Sequence, residues 1–196
     1  MLIQVISGTV NDADLLRRQN ERWISELKPG AKGYLGSTGG ITPDGQSITI
    51  ARFESPKAAQ QNSQRSEQSA WWNETEKAFA GEVTFHDCEQ VDTYLGGGSN
   101  DASFVQVIQG RAKNEKQMRS ELPKMERDLR EKRPDLLGII MAWHGDGGFT
   151  QVTYFTSEAE TRKYEKATEG AALRARYMDL IDGQPTFYDL PHPDLD

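Results

Sequence analysis

The residues best suited to chemistry fall on strands and on one helix face. His86 stands in Thr84-Phe85-His86-Asp87, and a near-copy, Thr186-Phe187-Tyr188-Asp189, puts Tyr188 at the matching place. A histidine there could serve as general base for an acidic phenol or enol, because its pKa lies near neutrality. Either side chain could equally be a polar tip held within the structure, since no carboxylate partner is identifiable. Gln4 and Gln106 each set an amide on the strand parity of Leu2 and Ile6, or of Phe104 and Ile108. A buried amide must be hydrogen-bonded, so it either ties its strand to a neighbour or orients a ligand. Asn20 interrupts an inward helical stripe where the matching position holds Leu122. A later helix can turn only Ala58, Ala59, Asn62, Ser66, Ser69 and Ala70 inward before Trp71 and Trp72. Small inward residues leave room for a ligand or let the helix pack closer, and the tryptophans then form a cavity wall or a core anchor. The candidate pocket residues are therefore Gln4, Asn20, Asn62, Trp71, Trp72, His86, Gln106 and Tyr188, and the candidate ligand is a small apolar or aromatic molecule.

Other chemistries lack their parts. Trp143-His144-Gly145-Asp146 offers one His-x-Asp pair at a turn, too few ligands for a metal. Cys88 is the only cysteine, which excludes an internal disulfide and a Cys-x-x-Cys site. No Gly-x-Ser-x-Gly elbow, phosphate loop or Gly-x-Gly-x-x-Gly follows a strand, so neither metal nor cofactor is expected. A net charge of −7 and a pI near 5.1 oppose binding to nucleic acid or anionic membrane. The amino terminus has no basic leader and no stretch approaches a membrane span, so a soluble cytoplasmic protein is expected.

The elements that must position these residues occur twice. Shifting the chain by 102 residues lays Gln4-Val5-Ile6-x-Gly8 on Gln106-Val107-Ile108-x-Gly110, Asp44-Gly45 on Asp146-Gly147, and Phe53-x-Ser55 on Phe155-x-Ser157. Matches spread over every element mark a tandem duplication. The repeats are expected at 1–95 and 104–196, with a Gly-rich linker at 96–103. In the middle, Pro29 and Gly33 align with Pro134 and Gly138 at an offset of 105, which predicts a longer first helix and a shorter hairpin in the second copy.

Within a copy, residues 2–9 read as a strand. Asn11 or Asp12 caps a helix with an inward stripe of Leu16, Trp23, Ile24 and Leu27, mirrored by Met118, Leu122, Met125 and Leu129. Pro123 should kink or delay the second version. Strands at about 33–41 and 46–54 flank the turn Thr42-Pro43-Asp44-Gly45. Ser55-Pro56 and Ser157-Glu-Ala-Glu160 open a second helix, and strands near 82–88 and 184–190 complete βαββαβ. That order predicts an α+β fold of two ferredoxin-like repeats. RNA-recognition domains share the order, but Gln46-Ser-Ile-Thr-Ile-Ala-Arg-Phe53 lacks their basic and stacking face.

With two such copies, the chain resembles a tandem-fused member of the dimeric α/β-barrel superfamily, similar above all to antibiotic biosynthesis monooxygenase-like domains. The Gln4-Val5-Ile6-x-Gly8 strand, the Phe53-x-Ser55 junction and the Trp71-Trp72 pair carry the resemblance, which covers the whole chain. It implies small-molecule binding. One version is a cofactor-independent monooxygenase of aromatic compounds, with its pocket between helices and sheet; the other is a non-catalytic binding or structural module. Haem-degrading relatives hold haem through a helix histidine, whereas His86, His144 and His192 fall on a strand, a hairpin and the tail.

Leu2 and Ile6 point one way from the first strand and Ile3 and Val5 the other, as do Phe104 and Ile108 against Val105 and Val107. A strand apolar on both faces needs cover on both, and the sheet of the other copy is the economical cover, giving one barrel per chain as a monomer or a homodimer of barrels. Isolated residues 1–96 should therefore aggregate or pair in sedimentation; a stable, monodisperse monomer would contradict the barrel expectation.

Overall fold

The computed structural model describes residues 1–196 and divides them into two compact units, 1–89 with 194–196, and 90–193. The first unit contains strands β1 (Leu2–Thr9), β2 (Tyr34–Ile41), β3 (Gln46–Phe53) and β4 (Thr84–Cys88), with helices α1 (Ala13–Arg22), α2 (Pro56–Ser63) and α3 (Ser66–Thr75). The second contains β5 (Gln90–Tyr94), β6 (Phe104–Ala112), β7 (Leu136–Trp143), β8 (Gly148–Phe155) and β9 (Ile181–Leu190), with α4 (Glu115–Lys132), α5 (Glu158–Lys166) and α6 (Thr168–Met178). The last strand, β10 (Asp194–Leu195), completes the first unit. Each unit has one five-stranded antiparallel sheet, ordered β10-β2-β3-β1-β4 and β5-β7-β8-β6-β9. This is the α+β architecture of two ferredoxin-like repeats.

The fifth strands are exchanged along the chain. Asp194 faces Gly39 on β2, and Asp92 faces Met141 on β7, so the tail of each repeat supplies the edge strand of the other repeat's unit. Repeats in sequence and units in space consequently have different boundaries. Both edges meet the hairpin at a bulge, between Tyr34 and Gly36 and between Leu136 and Gly138. A Cβ on Gly36 would lie 2.1 Å from the Asp196 carbonyl oxygen, and one on Gly138 1.8 Å from that of Gly97. Only glycine lets the edge strand this close.

Register corrects the alignment at the hairpin. Tyr34 pairs with Phe53 and Leu136 with Phe155, so the 102-residue offset holds there as well and Gly138 corresponds to Gly36, not Gly33. Both hairpins have eight-residue strands, so the second is not shorter, whereas α4, at 18 residues, is longer than α1, at 10, which gives way to a π turn and a 3-10 turn. The two glycines differ in role: Gly33 closes the preceding turn at φ +73° while Gly36 sits in the bulge.

The helices begin as their sequences predict and then depart in detail. Asp12 and Asn114 cap α1 and α4, accepting from the backbone N–H of Leu15 and Gln117 at 2.8 and 2.9 Å. Ser55 and Ser157 do the same for α2 and α5. Pro123 lies within an unbroken α4, at an exposed position of the helix. In the first unit, a π-helical turn at Trp23–Leu27 follows α1, and its wider spacing turns Trp23 and Leu27 inward but leaves Ile24 48% exposed. The second helix of each copy is two helices, broken where Arg65 and Ala167 are extended.

Substituting Gly138 by alanine should push the Gly97 carbonyl off the bulge. Amide exchange should then accelerate at Thr93 to Gly97 while the rest of the second unit stays protected; unchanged protection there would show that the edge does not depend on this contact.

Candidate functional site

Strand alternation decides which side chains meet the helices. In the second unit Gln106 and Ile108 of β6, Ile139 of β7, Gln151, Thr153 and Phe155 of β8 and Phe187 of β9 share the helix side of the sheet. Leu122, Met125 and Leu129 of α4 and Leu173, Tyr177 and Met178 of α6 come down on them without filling the space. A cavity of about 110 Å³ remains between α4, α6 and the sheet. An apolar cavity of roughly 150 Å³ admits benzene, so this one is the size of a single ring or slightly less. Met125 and Met178 in its wall are flexible enough to yield to such a guest.

The polar groups are mostly committed to one another. Gln106 donates through Nε2 to Asp189 Oδ1 at 2.8 Å, tying β6 to β9, and Asp189 is also ion-paired to Arg162. Arg162 further pairs with Glu158 and with the cavity-lining Glu165, each at 3.2 Å. Gln151 donates to Thr153 at 2.9 Å. Arg133 forms a bidentate pair with the buried Asp135, at 2.9 and 2.7 Å, with its guanidinium over the Phe155 ring. Such a pair presents little net charge to the cavity. Arg174 is different: it is exposed, lies over Phe187 with 5.7 Å between guanidinium carbon and ring centre, and has no carboxylate partner. The Tyr177 hydroxyl is shut off from solvent with no hydrogen-bond partner, and burial raises its pKa so far that it stays protonated.

The same place in the first unit is filled. Trp23 stands where the second copy has Met125, and Trp71 where it has Leu173. The two indoles lie 6.5 Å apart, and Trp23 packs edge-on against Tyr34 at 4.8 Å. Both indole N–H groups are used internally, Trp23 to Gln68 Oε1 and Trp71 to the Gln19 carbonyl. Asn62 is buried and accepts from Arg65, which also donates to the Leu27 carbonyl and so binds the α2–α3 break to the end of the first helical segment. Ser66, Ser69 and Ala70 turn outward. Trp72 stacks edge-on with Phe85 at 5.1 Å, and Asn20 is half-buried on α1.

Among the sequence candidates, Gln106 lines the cavity of the second unit. Gln4 repeats its tie, donating to Asp87 at 2.9 Å. His86 and Tyr188 pair with Val5 and Val107, on the strand face away from the helices, and the Tyr188 hydroxyl donates to Gln109 at 3.0 Å. The cavity residues that the sequence did not single out, Met125, Gln151, Thr153 and Tyr177 among them, are visible only when the copies are compared position by position. No group of three or more His, Cys, Asp or Glu side chains converges as metal ligands, and no helix is long and apolar enough to cross a membrane.

No family model and no curated protein matches the sequence. The fold has close company among solved structures. A provisionally assigned monooxygenase of Fusobacterium nucleatum superposes with a TM-score of 0.77 at 11% identity, covering 100% of this chain and 93% of its own. One from Lactobacillus acidophilus gives 0.70 at 12%, covering 96% and 92%. An anthrone oxidase-like protein gives 0.62 at 10%, covering 99% and 93%. The chain thus shares with these proteins a ferredoxin-like fold in tandem-repeat form, and at these identities the likeness is one of fold alone.

The filled and open units should respond differently to truncation. Trp71→Ala should cost roughly 3–5 kcal/mol in urea unfolding, whereas Leu173→Ala, which enlarges space already present, should cost about 2 kcal/mol. Equal costs would contradict the difference in packing.

Proposed function

We propose that the protein binds a small, planar, largely apolar molecule in the second unit, between α4, α6 and the sheet. The observation that supports this is the ring-sized cavity itself, with an apolar wall of Ile108, Leu122, Met125, Leu173 and Phe187 and polar groups at its ends. Pockets of this kind combine apolar enclosure with a few polar groups that fix orientation. The first unit shares the fold but spends the same space on two tryptophans, which favours one binding site per chain.

A catalytic version is cofactor-independent oxygenation of an aromatic compound, suggested by the names of the structural neighbours. Such a reaction balances when the substrate is its own reductant: a quinol and O₂ give a hydroxyquinone and water. It requires loss of a substrate proton, and Glu165 is the carboxylate that lines the cavity, 3.2 Å from Arg162. A carboxylate is a weak base, so the substrate would need to be readily ionised. A non-catalytic binding module is the competing reading.

Saturation-transfer NMR with phenol and hydroquinone should show saturable binding to the full chain that is lost in Leu173→Trp, which places in the second unit the indole found in the first. Oxygen uptake with hydroquinone and no added cofactor would support the catalytic version; binding without uptake would leave the binding module. Binding unchanged in a folded Leu173→Trp protein would move the site elsewhere.

A further inference from the structure

We propose that the ligand of this cavity is a small aromatic acid, its ring between Leu173, Met125 and the sheet and its carboxylate on Arg174. The proposal rests on the binding reading above and adds the ligand's charge. It comes from using the chain as its own control. Both copies build one fold, so whatever the fold requires should appear in both, and differences that cluster in space belong to something one copy does and the other does not.

The differences around this cavity are of two kinds. Trp23 and Trp71 give way to Met125 and Leu173, which opens space. At its edges, Thr49, Ala51 and Trp72 give way to Gln151, Thr153 and Arg174, and Ala31 and Ser63 to Arg133 and Glu165, which adds two cations and a carboxylate; Arg133 arrives with its own partner, Asp135, where the first copy has Gly33. The shared framework stays in place: Gln4 and Gln106 make the same strand tie, and Phe85 and Phe187 occupy matching positions on the outer strand. Space and one uncompensated cation, Arg174, have been introduced together.

The ionic partners identify which cation is available. Arg133 is held in a bidentate pair with Asp135, and Arg162 is surrounded by Glu158, Glu165 and Asp189. The Gln106 end of the cavity is thus rich in carboxylates and offers nothing to an anion. Arg174 alone among the lining cations has no counter-charge, and it sits against the exposed Phe187 ring. An arginine over an aromatic ring at the mouth of an apolar chamber suits a carboxylate attached to a flat ring, because the guanidinium fork meets both oxygens while the ring leaves water. The small chamber allows one ring, with the charged group outside it.

Three probes of similar shape separate charge from shape: benzoate, benzamide and benzylamine, titrated into the full-length protein by NMR. Benzoate should bind best and benzylamine worst, and rising salt should weaken benzoate selectively. In Arg174→Gln, benzoate affinity should fall about fivefold, the upper range for an exposed ion pair, to the level of benzamide, and its salt dependence should vanish. Arg174 is exposed and its guanidinium lies over the exposed Phe187 ring, so this variant should fold. Equal binding of all three probes with no effect of Arg174→Gln would overturn the anion proposal and leave the cavity reading standing, as would a preference for benzylamine. Failure of every probe to bind, or binding indifferent to Leu173→Trp, would defeat the cavity reading itself.

Discussion

The register that pairs β6 with β8 and β9 decides what the second unit can do. With Ile108 opposite Gln151 and Phe187, one side of the sheet presents Gln106, Ile108, Gln151, Thr153, Phe155 and Phe187 together. A slip of one residue would turn all of them away from α4 and α6. The register is fixed from several directions. Gln106 ties to Asp189 across β6 and β9, Phe104 and Phe155 stack at 5.8 Å at one end, and Trp143 meets Phe149 edge-on at 6.1 Å at the other. The bulge at Leu136–Gly138 lies where β7 begins and the edge strand β5 ends. Once these are set, the helices have only the cavity side to pack against.

The difference between the units is a matter of volume on a shared frame. In the first, indoles 6.5 Å apart and a guanidinium bridging to the Leu27 carbonyl lock the helices onto the sheet. In the second, Met125 and Leu173 are smaller, and Ala167 stands where Arg65 makes that bridge. The second helix pair is tied to α4 by Arg176 instead, which pairs with Asp128 at 3.0 Å. An unpaired buried polar group costs about 1–3 kcal/mol, and each unit carries one, the Gln19 amide oxygen in the first and the Tyr177 hydroxyl in the second.

Much of the fold was legible because its signals are local. Serine and asparagine caps, Asp-Gly turns and apolar alternation fixed the element order and the duplication. What was not legible depended on pairing between distant segments. The exchange of β5 and β10 leaves no mark in composition, since a short edge strand reads the same whichever sheet it joins. The bulge glycines were misaligned because Gly33 and Gly36 differ in role, not in type. At the site, the small residues 58–70 drew notice to a helix whose Ser66, Ser69 and Ala70 face outward, while the opening arises in the other copy from ordinary Met and Leu residues. Absence of bulk is hard to read from one helix alone; it shows when the matching residue is a tryptophan.

The central claim is that the second unit holds an open apolar chamber where the first is filled. Xenon enters apolar cavities without needing any polar partner, so a crystal pressurised with xenon tests it most directly. The expected result is a xenon atom between Met125, Leu173 and Ile108 and none between Trp23, Trp71 and Phe53. Xenon beside the tryptophans, with the space under α6 vacant, would contradict it.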